Sequence, residues 1–467
     1  MDTSKKTQKI LNLLFSKESF IFILTILLFI LIKYGSPQIR ISDTNIYFYT
    51  ARSLFDGNIL YKDIFFTNLP LFPYVSLIYG VITNWNLQAF YATPIFEISI
   101  VSFFIFIISQ KMSKHLTYSI IAVVLYLFSF TTLATSDHQT GVFSASLFAV
   151  IGYYFALQKK SILSGVFFGL AVLTKAYFIP IPLAFILALF FENKKELYKT
   201  LFGFLTTTTV IFAFFFLLSG GTIISDIFLY SLIREQGLSK FGIFRFFIFK
   251  EIILSILFFI NFSRILKKDF FGFFSFVSVL FLLFYRDIYF LYLNFLIPFL
   301  ALSSIYWLEK FSHKKDLQIA FLAGALILST LSINSYLTSY KDLQTIPQIK
   351  DITQTIKNLH PSSLYGINSI TPALSYLTGI PLFDGIIDTN GNRFRSKNLD
   401  ASILTKKAIT NGALLVTKSA IYPQYQINEI FMSEIFDTPQ LNNCELILSE
   451  PVRFEGTENA LSLVFCK

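Results

Sequence analysis

Apolar runs long enough, or nearly long enough, to cross a lipid bilayer recur through the first 338 residues, separated by short charged loops. They lie at about 19–38, 90–109, 116–135, 139–157, 161–174, 176–191, 199–218, 242–260, 270–284, 289–308 and 317–337. A transmembrane helix needs about 20 predominantly apolar residues. No soluble core can absorb that many such segments in a chain of 467 residues. Only 14% of the residues are charged and the mean hydropathy is +0.63, so lipid must solvate much of the surface. The expected fold class is a polytopic α-helical membrane protein of about 11 transmembrane helices.

The loops are of two kinds. Basic ones hold Lys111 and Lys114, Lys159 and Lys160, Lys194, Lys195 and Lys199, Arg264, Lys267 and Lys268, and Lys310, Lys314 and Lys315. Loops at 136–138, Lys175, 219–241 and 285–288 are poor in lysine and arginine. The two kinds alternate strictly if every run crosses, which puts the basic loops inside by the positive-inside rule. The net charge of +10 is therefore a topology signal. No basic stripe interleaved with aromatics appears, so nucleic acid is not expected as a partner. The lysines at 5, 6, 9 and 17 precede a first run with no clear cleavage site, read as a retained span.

Parity constrains two doubtful segments. The runs 161–174 and 176–191 are short, and Pro180 and Pro182 interrupt the second, so both cross or neither does. The stretch 69–84 is apolar, but counting it as a span inverts every later loop. It reads as a helix in the interface or re-entering the membrane. The expected organisation is a membrane domain over 1–338, including a large external loop at 39–89, and an external α/β domain over 339–467. In the second, strand-like runs at 363–368, 413–418, 444–449 and 460–466 alternate with helical stretches at 350–358 and 372–377. The two cysteines, Cys444 and Cys466, flank a turn near Glu455-Gly456 and are expected to pair in an oxidising compartment, although Pro451 weakens the hairpin. Two cysteines exclude a cysteine-rich metal site. No inverted repeat or heptad repeat is present.

The stretch SDTNIYFYTARSLFDGNILYKDIFFTNLPLFPY (42–74) is the most informative. Asp43 follows the first span. After it come Tyr47, Ala51-Arg52, Gly57, Tyr61, Asp63, Pro70, Leu71 and Tyr74. This resembles the first external loop of GT-C glycosyltransferases, the branch of protein O-mannosyltransferases and lipid A aminoarabinose transferases. The resemblance continues at GVFFGLAVLTKAYFIPIPLAFIL (165–187) and, more weakly, at YRDIYFLYLNFLIPFL (285–300). It covers the membrane half only. Where the family has Lys-Pro-Pro-Leu, this chain has Asn68-Leu69-Pro70-Leu71, so the phosphate-contacting lysine is lost or its role moved elsewhere. Asp43 is followed by Thr44, not by a second acid.

Candidate chemistry follows from these positions. Asp43 can serve as general base on an acceptor hydroxyl, or as a cap closing a helix over 44–54. Asp137-His138 in the loop 136–138 is a candidate for a second catalytic carboxylate, for donor binding through His138, or for a divalent cation bound by both. The competing reading makes Ser136-Asp137 the N-cap of the next span. Lys175 and Arg286 are cations on the side where the positive-inside rule disfavours them, so a phosphate is the expected partner. Headgroup snorkelling is the alternative. The resemblance adds Tyr47, Arg52, Tyr61 and Asp63 to the substrate-binding set, with a framework role preferred for the last two. Arg234, Glu235 and Lys240 read as a solvated loop.

ATP and nucleotide sugars are absent outside the cell, so an enzyme there needs a donor that has already crossed. A polyprenyl-phosphate-linked sugar meets that need. The resemblance implies transfer of one monosaccharide, with inversion, to a lipid, glycan or protein acceptor. Apart from the candidate divalent cation, no cofactor is expected. The alternatives are a transporter or flippase of lipid-linked glycans, which should show inverted repeats and charges deep in several spans, and a catalytically silent relative.

Overall fold

The computed structural model describes residues 17–233, 237–286, 288–420, 434–441, 444–454 and 457–466. Helices occupy each apolar run. Three of them are long and apolar enough on their own to cross a membrane: Leu87–Met112, Lys194–Leu218 and Lys315–Ser339. The first is central to the bundle, with 56% of its apolar window buried. The other two are peripheral, at 11% each, and present nearly their whole apolar surface outward as lipid contact requires.

Two runs that look continuous in hydropathy are broken. The run 116–135 divides into Leu116–Leu127 and Phe130–Thr135, with the Ser129 hydroxyl accepting from the Thr132 amide. The run 242–260 divides into Lys240–Lys250 and Ile252–Ile260. The breaks meet, because the Glu251 carboxylate accepts from the Thr131 amide over 2.6 Å. Each interruption thus satisfies backbone that a helix break would strand in an apolar interior.

The doubtful segments are helical. Ser161–Thr174 and Pro180–Glu192 are separate helices. The first packs so closely on Lys194–Leu218 that a Cβ on Gly165 would run into the Thr200 carbonyl, and one on Gly203 into that of Ile162. Small residues that let backbones touch are the usual way to join helices where lipid offers no hydrophobic gain. The helix Leu71–Ile82 has 12 residues. That makes it about 18 Å long, well short of a hydrocarbon core of about 30 Å.

Beyond Tyr340 the chain forms a four-stranded sheet in the order β1-β2-β4-β3, with β1 Leu364–Gly366, β2 Leu414–Ala420, β3 Cys444–Phe454 and β4 Thr457–Cys466. β1 and β2 run parallel and the other pairs antiparallel. Pro451 lies on the edge strand β3, where a missing N–H costs least. Cys444 and Cys466 are register partners joined by a disulfide. The proposed turn at Glu455-Gly456 lies outside the described residues. The helices Ile349–Leu359 and Thr371–Thr378 complete the unit.

This polar unit is stitched to the loop after the first helix. Ile41 donates to the Gln344 carbonyl (2.9 Å) and Ile346 to that of Ile39 (3.0 Å). Tyr376 donates to the Trp85 carbonyl (2.7 Å). The first loop is therefore held between the helical bundle and the sheet.

Candidate functional site

A cavity of about 300 Å³ opens where the loop ends of the bundle meet the polar unit. Asp43, Ile46 and Tyr47 line it from the start of the helix Thr44–Phe55, and residues 65–68 from the loop that follows. Thr140, Lys175, Tyr177, Tyr289, Leu291 and Tyr292 close it from the bundle, and Asn368, Asp388 and Asn390 from the polar unit.

Asp43 occupies the N-cap position, yet its side chain makes no capping hydrogen bond. The Ser42 hydroxyl accepts from the Thr44 amide instead (3.1 Å). The cap expectation is thus corrected: the carboxylate belongs to the cavity wall and not to the helix end. Tyr47, one turn further on, shares that face.

Lys175 follows the helix Ser161–Thr174 in extended conformation, which turns its side chain out of the helix and toward the cavity. Its Nζ donates to the Tyr47 hydroxyl (3.3 Å) and lies 4.7 Å from the Tyr47 ring centre and 5.0 Å from that of Phe72. The chain thus holds a buried cation against two aromatic faces at the cavity wall, where an anion gains from it. Tyr177 stacks on Tyr292 with ring centres 4.0 Å apart. Its hydroxyl is buried with no hydrogen-bond partner among the described residues.

Asp137 lies elsewhere. It is buried in an ion pair with Lys33, with Arg40 3.6 Å away, and accepts from the Tyr336 hydroxyl (2.9 Å). Burial alone would raise its carboxyl, but Lys33 and Arg40 together hold it below the usual carboxylate range. The expectation that Asp43 and Asp137 face one cavity does not hold, because Asp137 is needed to neutralise two buried cations. Nor is it a cap: the helix Val142–Leu157 starts after Gly141 in left-handed conformation. His138 lies half-buried beside it and hydrogen-bonds Ser42 through Nδ1 (2.9 Å). Burial, with Arg40 nearby, pushes its imidazole down to about 3, so it is neutral at pH 7.

That geometry does not fit a divalent cation at Asp137-His138. The carboxylate is committed to Lys33 and the imidazole Nδ1 to Ser42. Among the described residues no cluster of three or more histidine, cysteine or acidic side chains could hold a metal.

The remaining sequence candidates separate by role. Tyr61 donates to the Asn68 carbonyl (2.6 Å) and Asp63 accepts from the Ile59 amide (2.8 Å), so both shape the loop. Arg52 pairs with Asp56 and lies over Trp85, away from the cavity. Arg286 donates to the Leu232 carbonyl and does not line the cavity. Lys240 reaches the Leu283 carbonyl, while Arg234 and Glu235 lie outside the described residues.

The loop tip is held from two sides. The Phe66 amide donates to Asp226 (3.3 Å), whose carboxyl is raised by burial. The Arg393 guanidinium, lowered by burial, lies 3.8 Å over the Phe65 ring. Tyr177, Tyr289, Tyr292 and the three polar-unit residues were not singled out in the sequence. Only the tyrosine-rich stretch around 285–300 carried a signal.

No family model and no curated protein matches the sequence. In three dimensions the chain is similar to ArnT from Cupriavidus metallidurans. Against that protein bound to undecaprenyl phosphate the TM-score is 0.65 at 11% identity, over 96% of this chain and 98% of that one. Against its apo state the TM-score is 0.65 at 13% identity, with the same coverage. At such identity the likeness is one of fold. The chain has an ArnT-like fold.

Proposed function

We propose that the protein is a membrane glycosyltransferase that moves one monosaccharide from a polyprenyl-phosphate carrier to an acceptor hydroxyl on the external face of the membrane. The observation that carries this reading is the pairing, on one small cavity, of the Asp43 carboxylate with the buried Lys175–Tyr47 pair. The fold likeness to a protein solved with undecaprenyl phosphate supports the choice of donor.

In this reading Asp43 takes the proton of the acceptor hydroxyl as its oxygen bonds the anomeric carbon. The bond from that carbon to the phosphate oxygen breaks, and the electron pair leaves with the polyprenyl phosphate. Lys175, itself buried, faces the charge that develops there. Tyr47 holds the ammonium in place and does not react. A single in-line displacement inverts the anomeric centre. The alternation of basic and charge-poor loops supports an external side for this chemistry and for the polar unit.

The test is donor class. Purified protein given an undecaprenyl-phosphate-linked sugar and a membrane acceptor fraction should release undecaprenyl phosphate. Transfer from a soluble nucleotide sugar, with the polyprenyl form inert, contradicts the reading. Movement of carrier-linked glycan across vesicles without cleavage supports a flippase instead.

A further inference from the structure

The polar unit contributes a wall of the cavity whose chemistry differs from that of the phosphate-directed end. Asn368 donates through Nδ2 to Asp388 Oδ1 (2.7 Å), and the Asn390 amide donates to the same oxygen (2.9 Å). Both bonds fall on Oδ1, so the carboxylate is fixed while Oδ2 keeps its accepting capacity for a ligand. The turn that carries it is braced in turn. Arg393 donates to the Asp388 carbonyl (2.6 Å) and to Asn398 (2.8 Å), while its guanidinium covers Phe65. A polar group held this way loses little freedom on binding.

We infer that the Asn368–Asp388–Asn390 edge is the subsite for the hydroxyls of the transferred sugar, and that it selects a neutral or amino sugar over an acidic one. The inference rests on the donor reading above. A sugar ring presents hydroxyls that both donate and accept, and a carboxylate flanked by side-chain amides answers both. Phe65, Tyr289 and Tyr292 line the adjoining walls and supply aromatic surface near the ring's C–H groups. About 300 Å³ is the lower end of small-molecule sites, the scale of one sugar with its phosphate. The three residues that this edge adds to the cavity include a carboxylate and no cation. A uronic acid would bring a second carboxylate to Asp388, and the nearby cation, Arg393, is already turned to the Asp388 carbonyl, Asn398 and the Phe65 face.

The edge is also in register with the proposed base. Ser369, next to Asn368, accepts from the Ser42 amide (2.9 Å) and from Asn45 Nδ2 (2.5 Å), so one peptide segment positions both ends.

The experiment compares affinities of the full chain for undecaprenyl phosphate alone and for its glucose, mannose, galactose, arabinose and glucuronic acid forms. Wild type should bind at least one neutral form more tightly than bare carrier, and the glucuronic acid form no better than bare carrier. Asp388→Ala should cost that neutral form roughly 10- to 100-fold while leaving bare carrier within about 3-fold. Asp388→Asn keeps the oxygen that Asn368 and Asn390 hold. It should lose less affinity and relax the rejection of the glucuronic acid form, which guards against a folding artefact. Equal weakening of bare and sugar-bearing carriers by either variant overturns the subsite, as does no change at all. A wild type preferring no neutral form over bare carrier overturns it too. A wild type that binds neither bare nor loaded carrier overturns the donor reading, and the subsite with it.

Discussion

The hydroxyl of Ser42 and Nδ1 of His138 lie 2.9 Å apart, and this contact joins the residue before Asp43 to a buried charge cluster on the bundle. Through it the proposed base is braced by a loop nearly a hundred residues away in sequence, while the Ser42 amide is taken by Ser369. His138 therefore acts in the structure as a support for the cavity wall.

That support is pH-sensitive. The His138 imidazole sits at about 3 in the fold against an ordinary 6.5, so the unfolded chain binds the proton first as pH falls. Its stabilising contribution is complete above pH 6.5 and is lost as pH drops toward 3, at up to about 1.4 kcal/mol per pH unit. Asp137 is depressed as well, so its contribution is lost as pH falls below the ordinary carboxylate range. Thermal unfolding of detergent-solubilised wild type and His138→Gln between pH 4.5 and 7.5 should give curves that diverge only below pH 6.5, with the wild type steeper. Parallel curves contradict the desolvated, neutral imidazole.

Lys33 and Asp137 form a buried pair in which neither charge can be abandoned cheaply. Asp137→Leu alone should destabilise by about 3–5 kcal/mol, because Lys33 is left uncompensated. Adding Lys33→Met should recover much of that loss. A double-mutant cycle on unfolding checks it, and additive losses would mean that Arg40 holds Asp137 without Lys33.

Lys175→Met keeps the apolar stem against Tyr47 and Phe72 and removes the charge. It should weaken binding of undecaprenyl phosphate by roughly tenfold or more, with the unfolding temperature little changed. Isothermal titration in detergent or nanodiscs reads this directly, and unchanged affinity removes Lys175 from the phosphate end.

Tyr177→Phe removes a buried hydroxyl that has no partner among the described residues. An unmet polar group costs about 1–3 kcal/mol, so the variant should be as stable as wild type or somewhat more so without ligand. A clear loss of stability would show that the hydroxyl is satisfied in solution.

Much of the architecture was legible because membrane insertion writes itself along the chain. Apolar length located the helices, Asp43 and Lys175 stood out by their place at run ends, and Tyr47 by the resemblance. The breaks at Ser129 and Glu251 were hidden because hydropathy averages over a run and does not see one stranded amide. The fate of Asp137 turned on Lys33 and Arg40, which only folding brings near. Lys33 itself was a visible warning, a lysine inside an apolar run that needed a partner. Asn368, Asp388 and Asn390 carried no signal. They reach the cavity because the polar unit packs on residues 39–45, and no local pattern encodes that contact.

The central claim is that Asp43 is the base of a glycosyl transfer whose leaving group is polyprenyl phosphate. The most direct measurement is single-turnover release of undecaprenyl phosphate from a carrier-linked sugar by wild type and by Asp43→Asn, with both variants' unfolding temperatures recorded. Asp43→Asn should be slower by roughly two to four orders of magnitude. Because the substitution keeps the side chain's size and one polar oxygen, folding should be almost unaffected. Near-normal release by a well-folded Asp43→Asn protein would contradict the account.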